Sequence, residues 1–407
     1  MRTRLGLMAM AVAGLLAGCE TAPPPTVAPP PAPPVAGEPH HLTLRMVAFS
    51  DLPGWTNDHW SQALPALLKS CTRILQMPPD LAVGQNGIGG TARDWLGPCG
   101  ALKKVGAGDD QGARRALEGW FTPYAMTDNG RPDGLFTGYY EAEVNGSRTR
   151  HGTYQVPLYG RPRDLVTVDL ARLRPDLAKD MGNVQLSGRV AEGRLDPYPP
   201  RSEIETKGLG DNAAPLFWLD DPVSAHILHI QGSGLVHLDD GSVQRIAVAA
   251  TNGQRFIGLG HILAEHGKVE AGSTMPQIRD WLHAHPDQAK TLMAENPRYI
   301  FYCPVVGEGP IGAEGVALTP ARSLAVDPHF VPLGAPIWIA ATAPSGTPLA
   351  RLMVAQDTGA AIKGPVRGDI FWGSGEAAFQ DAGSMKSTGQ AWILLPRERS
   401  PSLARLP

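Results

Sequence analysis

Asp357 and Asp369 stand twelve residues apart in AQDTGAAIKGPVRGDIFWG, separated by small residues and glycines. Asp357 closes the apolar run LMVAQ and Asp369 opens DIFWG, so each carboxylate is expected at a strand end, the two ends joined by a tight glycine-rich crossover. Ile370, Phe371 and Trp372 would wall one of them with apolar surface. A carboxylic acid beside such walls keeps its proton to higher pH because its anion loses solvation, and a second carboxylate nearby pushes the same way. Two aspartates so placed can be driven to different protonation states, which is what acid–base chemistry near neutrality needs. The same residues allow a purely structural reading, with Asp357 capping a turn and Asp369 paired to Lys363 or Arg367.

Other motifs offer less. HILAEH at 261–266 sets its histidines five apart, where one helix face would need i, i+4 to bring both to a zinc ion, so it reads as helix surface and no metal is expected. Gly232-Ser233-Gly234 lacks the spacing of a nucleophile elbow, and GLG at 258–260 is too short to cradle phosphates. Cys303, in RYIFYCPVV, reads as a buried thiol on an apolar strand. No cofactor motif is present. A carbohydrate site, by contrast, is well supplied: Tyr139, Tyr140, Tyr154, Trp338 and Trp372 offer ring faces, and Thr137, Gln231 and Ser233 offer hydrogen bonds to hydroxyls. About two of those five aromatics are expected at a surface, the rest in the core.

The elements that must hold these residues differ along the chain. NDHWSQALPALLKSCTRIL, TARDWLGPCGALKKV and DQGARRALEGWF carry helical spacing, with Asp109 and Asp110 as N-cap chemistry for the last. Residues 134–162 and 226–253 read as short strands and turns, with a hairpin at Asp240-Gly241. Residues 201–210 are polar and poorly periodic, and 275–297 are helical. RYIFYCPVV, APIWIAATA, ARLMVAQDTG, GDIFWG and AWILLP return to strands, and the final RERSPSLARLP reads as a flexible tail over 397–407. The class is mainly β with added helices, and closure into barrels would remove the edges of such short strands.

At 407 residues the chain exceeds one ordinary core, and 43% apolar with 18% charged residues is a globular composition. Its formal net charge of −3, without a basic run, argues against a nucleic-acid partner. Arg2 and Arg4 precede an apolar run from Leu5 to Leu16, short for a bilayer span, which reads as an export signal over 1–18. Leu16-Ala17-Gly18-Cys19 resembles a bacterial lipobox, making Cys19 the lipidated residue and a membrane the anchor; Glu20 after it favours the outer membrane, facing the periplasm. The proline-dense stretch that follows is a semi-rigid tether to about residue 40. In an oxidising envelope Cys71 and Cys99 could bridge.

TGYYEAEVNGSRTRHGTYQVPLY, HIQGSGLVHLDDG, NGQRFIGLG, SLAVDPHFVPLG and AQDTGAAIKGPVRGDIFWG together resemble the membrane-bound lytic murein transglycosylase A family, including its C-terminal 3D module. The likeness runs from about residue 40 to 396 in the family's order. It implies a double-psi β-barrel from residues 41–143 and 305–396, a smaller β-barrel domain inserted at 144–304, and a groove between them. The family's three aspartates fall on Asp327, Asp357 and Asp369, and the resemblance makes Asp369 the single acid and base, Asp357 its ionised neighbour, and Asp327 a holder of loop geometry. Glycan contacts are expected from Thr137, Gly138, Tyr139, Tyr140, Gln231, Gly232, Ser233, Gly234, Lys363 and Gly364, with Lys363 and Arg367 as partners for substrate carboxylates. The implied reaction cleaves the bond between N-acetylmuramic acid and N-acetylglucosamine in peptidoglycan, leaving 1,6-anhydro ends. An inverting hydrolase using Asp369 as acid and Asp357 as base, or a non-catalytic glycan-binding lipoprotein, are the rival expectations.

Overall fold

In the computed structural model, residues 39–174, 185–359 and 361–397 are described. The export signal, Cys19, the proline-rich tether and the tail beyond 397 lie outside the described residues. The strands in chain order are β1 Leu42–Met46, β2 Phe121–Asp128, β3 Gly134–Ser147, β4 Val156–Tyr159, β5 Leu165–Asp169, β6 Gln185–Ala191, β7 Arg194–Pro197, β8 Pro215–Leu219, β9 Gly234–Leu238, β10 Val243–Thr251, β11 Ile300–Val305, β12 Ser323–Ala325, β13 Pro336–Thr342, β14 Pro348–Asp357, β15 Arg367–Ser374 and β16 Lys386–Pro396. The protein is mainly β, built around two large cores, with a third, smaller cluster around Tyr198, Tyr299 and Phe301.

Strand β3 belongs to both large cores. Its first half pairs in parallel with β15, while Ala142–Gly146 pair in parallel with β9. From β3 the pairings run through β15, β12, β14, β13 and β16, and β16 returns to β3, so six strands close a circuit without a free edge. The first core, on the two faces of these strands, buries Phe136, Trp338, Leu352, Val354, Ile370 and Ile393. The second core gathers Tyr140, Val144, Phe217, Leu228, Val236, Ile246, Leu282 and Phe379 around β9–β10–β11 and the neighbouring helices. At Gly138, in the middle of β3, a Cβ would come within 2.7 Å of the Ala382 backbone, so only glycine lets the helix Gly375–Ser384 lie this close.

The N-terminal helices brace the first core. Helix Leu64–Leu75 buries Leu64, Leu67, Cys71 and Ile74 on one face, and Cys71 is disulfide-bonded to Cys99 of helix Leu96–Lys103, with Cα atoms 5.5 Å apart. Asp109 caps helix Asp110–Trp120 by accepting from the Gly112 N–H at 2.7 Å, whereas Asp110 reaches across to the Ser61 N–H. Two buried polar assemblies tie these helices to the strands. Arg322, just before β12, makes a two-pronged pair with Asp58 at 2.7 and 2.8 Å. Gln356, just before Asp357, is held by the Ser323 hydroxyl, the Ala66 carbonyl and Ser70. Buried groups this fully paired fix their strands in one position.

Three local expectations fail. Residues 226–231, at the start of the segment expected to be strands, belong to a helix, Pro222–Gln231. Its residues Val223 to His229 are almost all buried, so no helical periodicity marks it; the legible signal was Asp221-Pro222, since the Asp221 carboxylate accepts from the Val223 and Ser224 N–H groups. Gly232, at φ +84°, ends that helix. The polar stretch at 201–207 is also helical because Arg201 turns inward, fully buried, to the Asn296 and Arg298 carbonyls. Cys303 is on a strand as expected, yet half-buried. The Asp240-Gly241 turn does join a hairpin, β9 to β10.

Candidate active site

The two aspartates are not joined by a direct crossover. Strand β12 lies between β14 and β15, and Ala325 is the register partner of Asp357 on one side and of Asp369 on the other. The row continues to Thr137 on β3 and Lys386 on β16. Lys386, Thr137, Asp369, Ala325 and Asp357 all line one groove of about 660 Å³. Two interstrand spacings put the aspartate Cα atoms roughly 10 Å apart, with only the Ala325 methyl between them.

The carboxylates are wired differently. Asp369 Oδ1 accepts from the Thr137 hydroxyl at 2.6 Å, and that hydroxyl in turn accepts from Arg367 Nη2 at 2.9 Å. Asp357 accepts three donors: the Ala313 N–H and the Thr358 N–H, both at 2.9 Å, and the Tyr139 hydroxyl at 2.8 Å. Burial raises the pKa of both above the ordinary aspartate value. For Asp369 the Asp357 charge adds to that rise, against the Thr137 bond and Arg367; for Asp357 only the three donors oppose burial. Donors to the anion favour the ionised form, and Asp357 has three where Asp369 has one. Tyr139, half-buried and bonded to Asp357, is held well above its usual pKa by lost solvation and the two carboxylates, and stays a neutral donor.

The opposite wall comes from the second core. His229 is buried and its pKa is pushed well down, and its Nδ1 accepts the Ile300 N–H at 3.1 Å, so the ring is neutral with its proton on Nε2. Gln231 Oε1 accepts the Tyr140 N–H at 3.2 Å. Phe256, Thr274, Met275 and Arg298 complete this side.

Of the expected glycan contacts, the groove is lined by Thr137, Gly138, Tyr139, Tyr140, Gln231 and Gly232, and not by Ser233, Gly234, Lys363 or Gly364. Gly364 is turned to Asp327: its N–H donates to Oδ2 at 3.0 Å, while Oδ1 receives His329, so Asp327 is a buried loop clamp away from the groove lining. Burial works against the Asp327 anion, but these bonds hold its pKa below the ordinary value. Lys363 is exposed, and Arg367 is engaged with Thr137 and the Leu135 and Gly368 carbonyls, not paired directly with Asp369. Trp338 is core, its indole donating to the Pro53 carbonyl, and Tyr154 and Trp372 lie off the groove, leaving Tyr139 and Tyr140 at it. Phe256, Met275, Gly258 and Gly260 were missed. NGQRFIGLG held a signal, since its glycines let the chain approach a cavity. Among the described residues no cluster of His, Cys, Asp or Glu could hold a metal, and no helix is long and apolar enough to cross a membrane.

Residues 135–303 match the family described as MltA specific insert domain, and residues 322–395 match the 3D domain. Over 281 residues the chain is 28% identical to the membrane-bound lytic murein transglycosylase A of Vibrio cholerae, spanning 66% of this chain and 67% of that protein. It resembles the crystal structure of a membrane-bound lytic murein transglycosylase from Agrobacterium tumefaciens, with 32% identity, a TM-score of 0.76, and coverage of 88% of this chain and 98% of that one. The lytic transglycosylase LtgG of Burkholderia pseudomallei matches with 37% identity, a TM-score of 0.60, and coverage of 88% and 98%. Two β domains, with paired aspartates lining a groove, and these likenesses define an enzyme of the lytic transglycosylase class. The chain belongs to the membrane-bound lytic murein transglycosylase A family.

Proposed function

We propose that the groove binds a peptidoglycan glycan strand and that Asp369 is the single acid and base of a lytic transglycosylase reaction. The protonated Asp369 donates to the oxygen linking muramoyl C1 to N-acetylglucosamine, and the C1–O bond breaks as an oxocarbenium-like centre forms. Asp357, ionised by its three donors, faces that positive charge. The Asp369 carboxylate then takes the proton of the muramoyl C6 hydroxyl, whose oxygen closes on C1. The proton returns to where it began, and no water or second base is consumed. Supporting this reading most directly is the unequal wiring of two aspartates on one strand row.

The six-strand circuit is read as a double-psi barrel from 41–143 and 305–396, with 144–304 as the inserted domain; in favour is the change of partners of β3 between Glu141 and Ala142. Lipidation at Cys19 would tether the enzyme to the outer membrane, where the sacculus lies within reach. Mass spectrometry of products from purified sacculi tests the reaction. Anhydromuramoyl ends are expected; reducing ends would mean hydrolysis, as by the inverting hydrolase, and no release a glycan-binding lipoprotein.

A further inference from the structure

Arg298 lines the groove on the wall opposite the aspartates, and its position is tightly built. The buried Arg201 guanidinium donates to the Arg298 carbonyl at 2.8 Å and to the Asn296 carbonyl at 3.2 Å, and the Asn296 side chain accepts the Arg298 N–H at 3.4 Å. Two residues on, Ile300 enters β11 with its N–H bound to His229. The backbone is therefore pinned from several sides, yet the Arg298 guanidinium itself makes no hydrogen bond or ion pair among the described residues. It is half-buried, and burial pushes its pKa down. A cation partly stripped of water and given no acceptor costs stability, so the fold does not account for it.

The other cations of the groove do not share this state. Arg367 is engaged with Thr137 and two carbonyls, and Lys386 is exposed and solvated. Among the described residues no carboxylate on the groove lining is available either, because Asp357 already accepts three donors and Asp369 is bonded to Thr137. The acceptor must come with the ligand. A planar guanidinium suits a carboxylate, which it can grip with two parallel hydrogen bonds.

We propose that Arg298 is a specificity-determining residue that binds a carboxylate carried by the glycan strand. The inference rests on the proposed substrate. In a strand bearing peptide stems the carboxylates are those of the peptide; where the stem has been removed, the lactyl group of the muramoyl residue is the anion.

The test compares the full-length protein with R298A and R298K on three ligands: peptide-bearing strands, amidase-treated strands with free lactyl carboxylates, and neutral chitooligosaccharides. R298A is expected to bind at least one anionic ligand about tenfold more weakly, with KM raised and kcat little changed. R298K should recover part of the loss, added salt should shrink the difference, and the neutral oligosaccharide should bind R298A as it binds the parent. Loss on peptide-bearing strands alone assigns the stem, and loss on treated strands alone assigns the lactyl group. Equal loss on the neutral ligand, or no loss on either anion, overturns the proposal. Thermal melting of both variants separates misfolding from lost recognition. If the parent released no anhydro ends the reaction would fall, while the contrast between charged and neutral ligands would still decide Arg298.

Discussion

The two walls of the groove do different work with different chemistry. The wall made by β3, β12, β14 and β15 carries both carboxylates on a single strand row, locked by register and by Thr137, Tyr139 and Arg367. The wall made by the second core carries a neutral histidine, an amide, apolar side chains and one unpartnered guanidinium among the described residues. In the proposed reaction proton transfer belongs to the first wall, and the second wall adds contacts to the ligand. Substitutions on the strand row should therefore act on kcat, and those on the opposite wall on KM.

Asp369→Asn should have the largest effect, lowering kcat on sacculi by about 10²–10⁴-fold while leaving sacculus binding intact. The same substitution should raise stability at neutral pH. A buried carboxyl whose folded pKa is raised contributes stability below its unfolded pKa and loses it as pH rises through the folded one. The amide of the Asp369→Asn variant has no charge to bury, so the variant's melting temperature should exceed the parent's by about 1–3 °C at pH 7, with the gap closing on acidification. A variant that retains near-normal turnover would move the acid to another group.

Thr137→Val should cost about tenfold in kcat and shift the pH profile. The Thr137 hydroxyl donates to the Asp369 anion, so removing it raises the Asp369 pKa and moves the alkaline limb of kcat/KM upward. A downward shift would mean that the relay from Arg367 through Thr137 does not act on Asp369. Gln231→Ala, on the other wall, should raise KM about threefold at unchanged kcat, measured on the same sacculi. A fall in kcat instead would erase the distinction between the walls.

Legibility in the sequence follows the same division. Asp357 could be placed at a strand end because an apolar run stops beside it, whereas Asp369, expected to open its strand, is the third residue of β15. That they share a row could not be read, because the strand between them, Ser323–Ala325, comes from more than thirty residues upstream and is too short to announce itself. Helix Pro222–Gln231 was hidden by burial on all sides, which erases the helical period. Arg201 and Arg298 were invisible as a pair, since one arginine's inward turn creates the other's position only through a long-range contact. Trp338 and Trp372 could not be sorted from Tyr139 and Tyr140, because an aromatic side chain fits a core and a sugar face equally well.

The proposed reaction has the proton on Asp369 while Asp357 is ionised, and everything in it depends on that division. Carboxyl-carbon NMR titration of protein labelled at aspartate, with signals assigned from the D357N and D369N variants, measures this directly. The Asp369 carboxyl is expected to titrate at the higher pH of the two, above the ordinary aspartate value. An Asp357 signal that remains protonated after Asp369 has ionised would contradict the account.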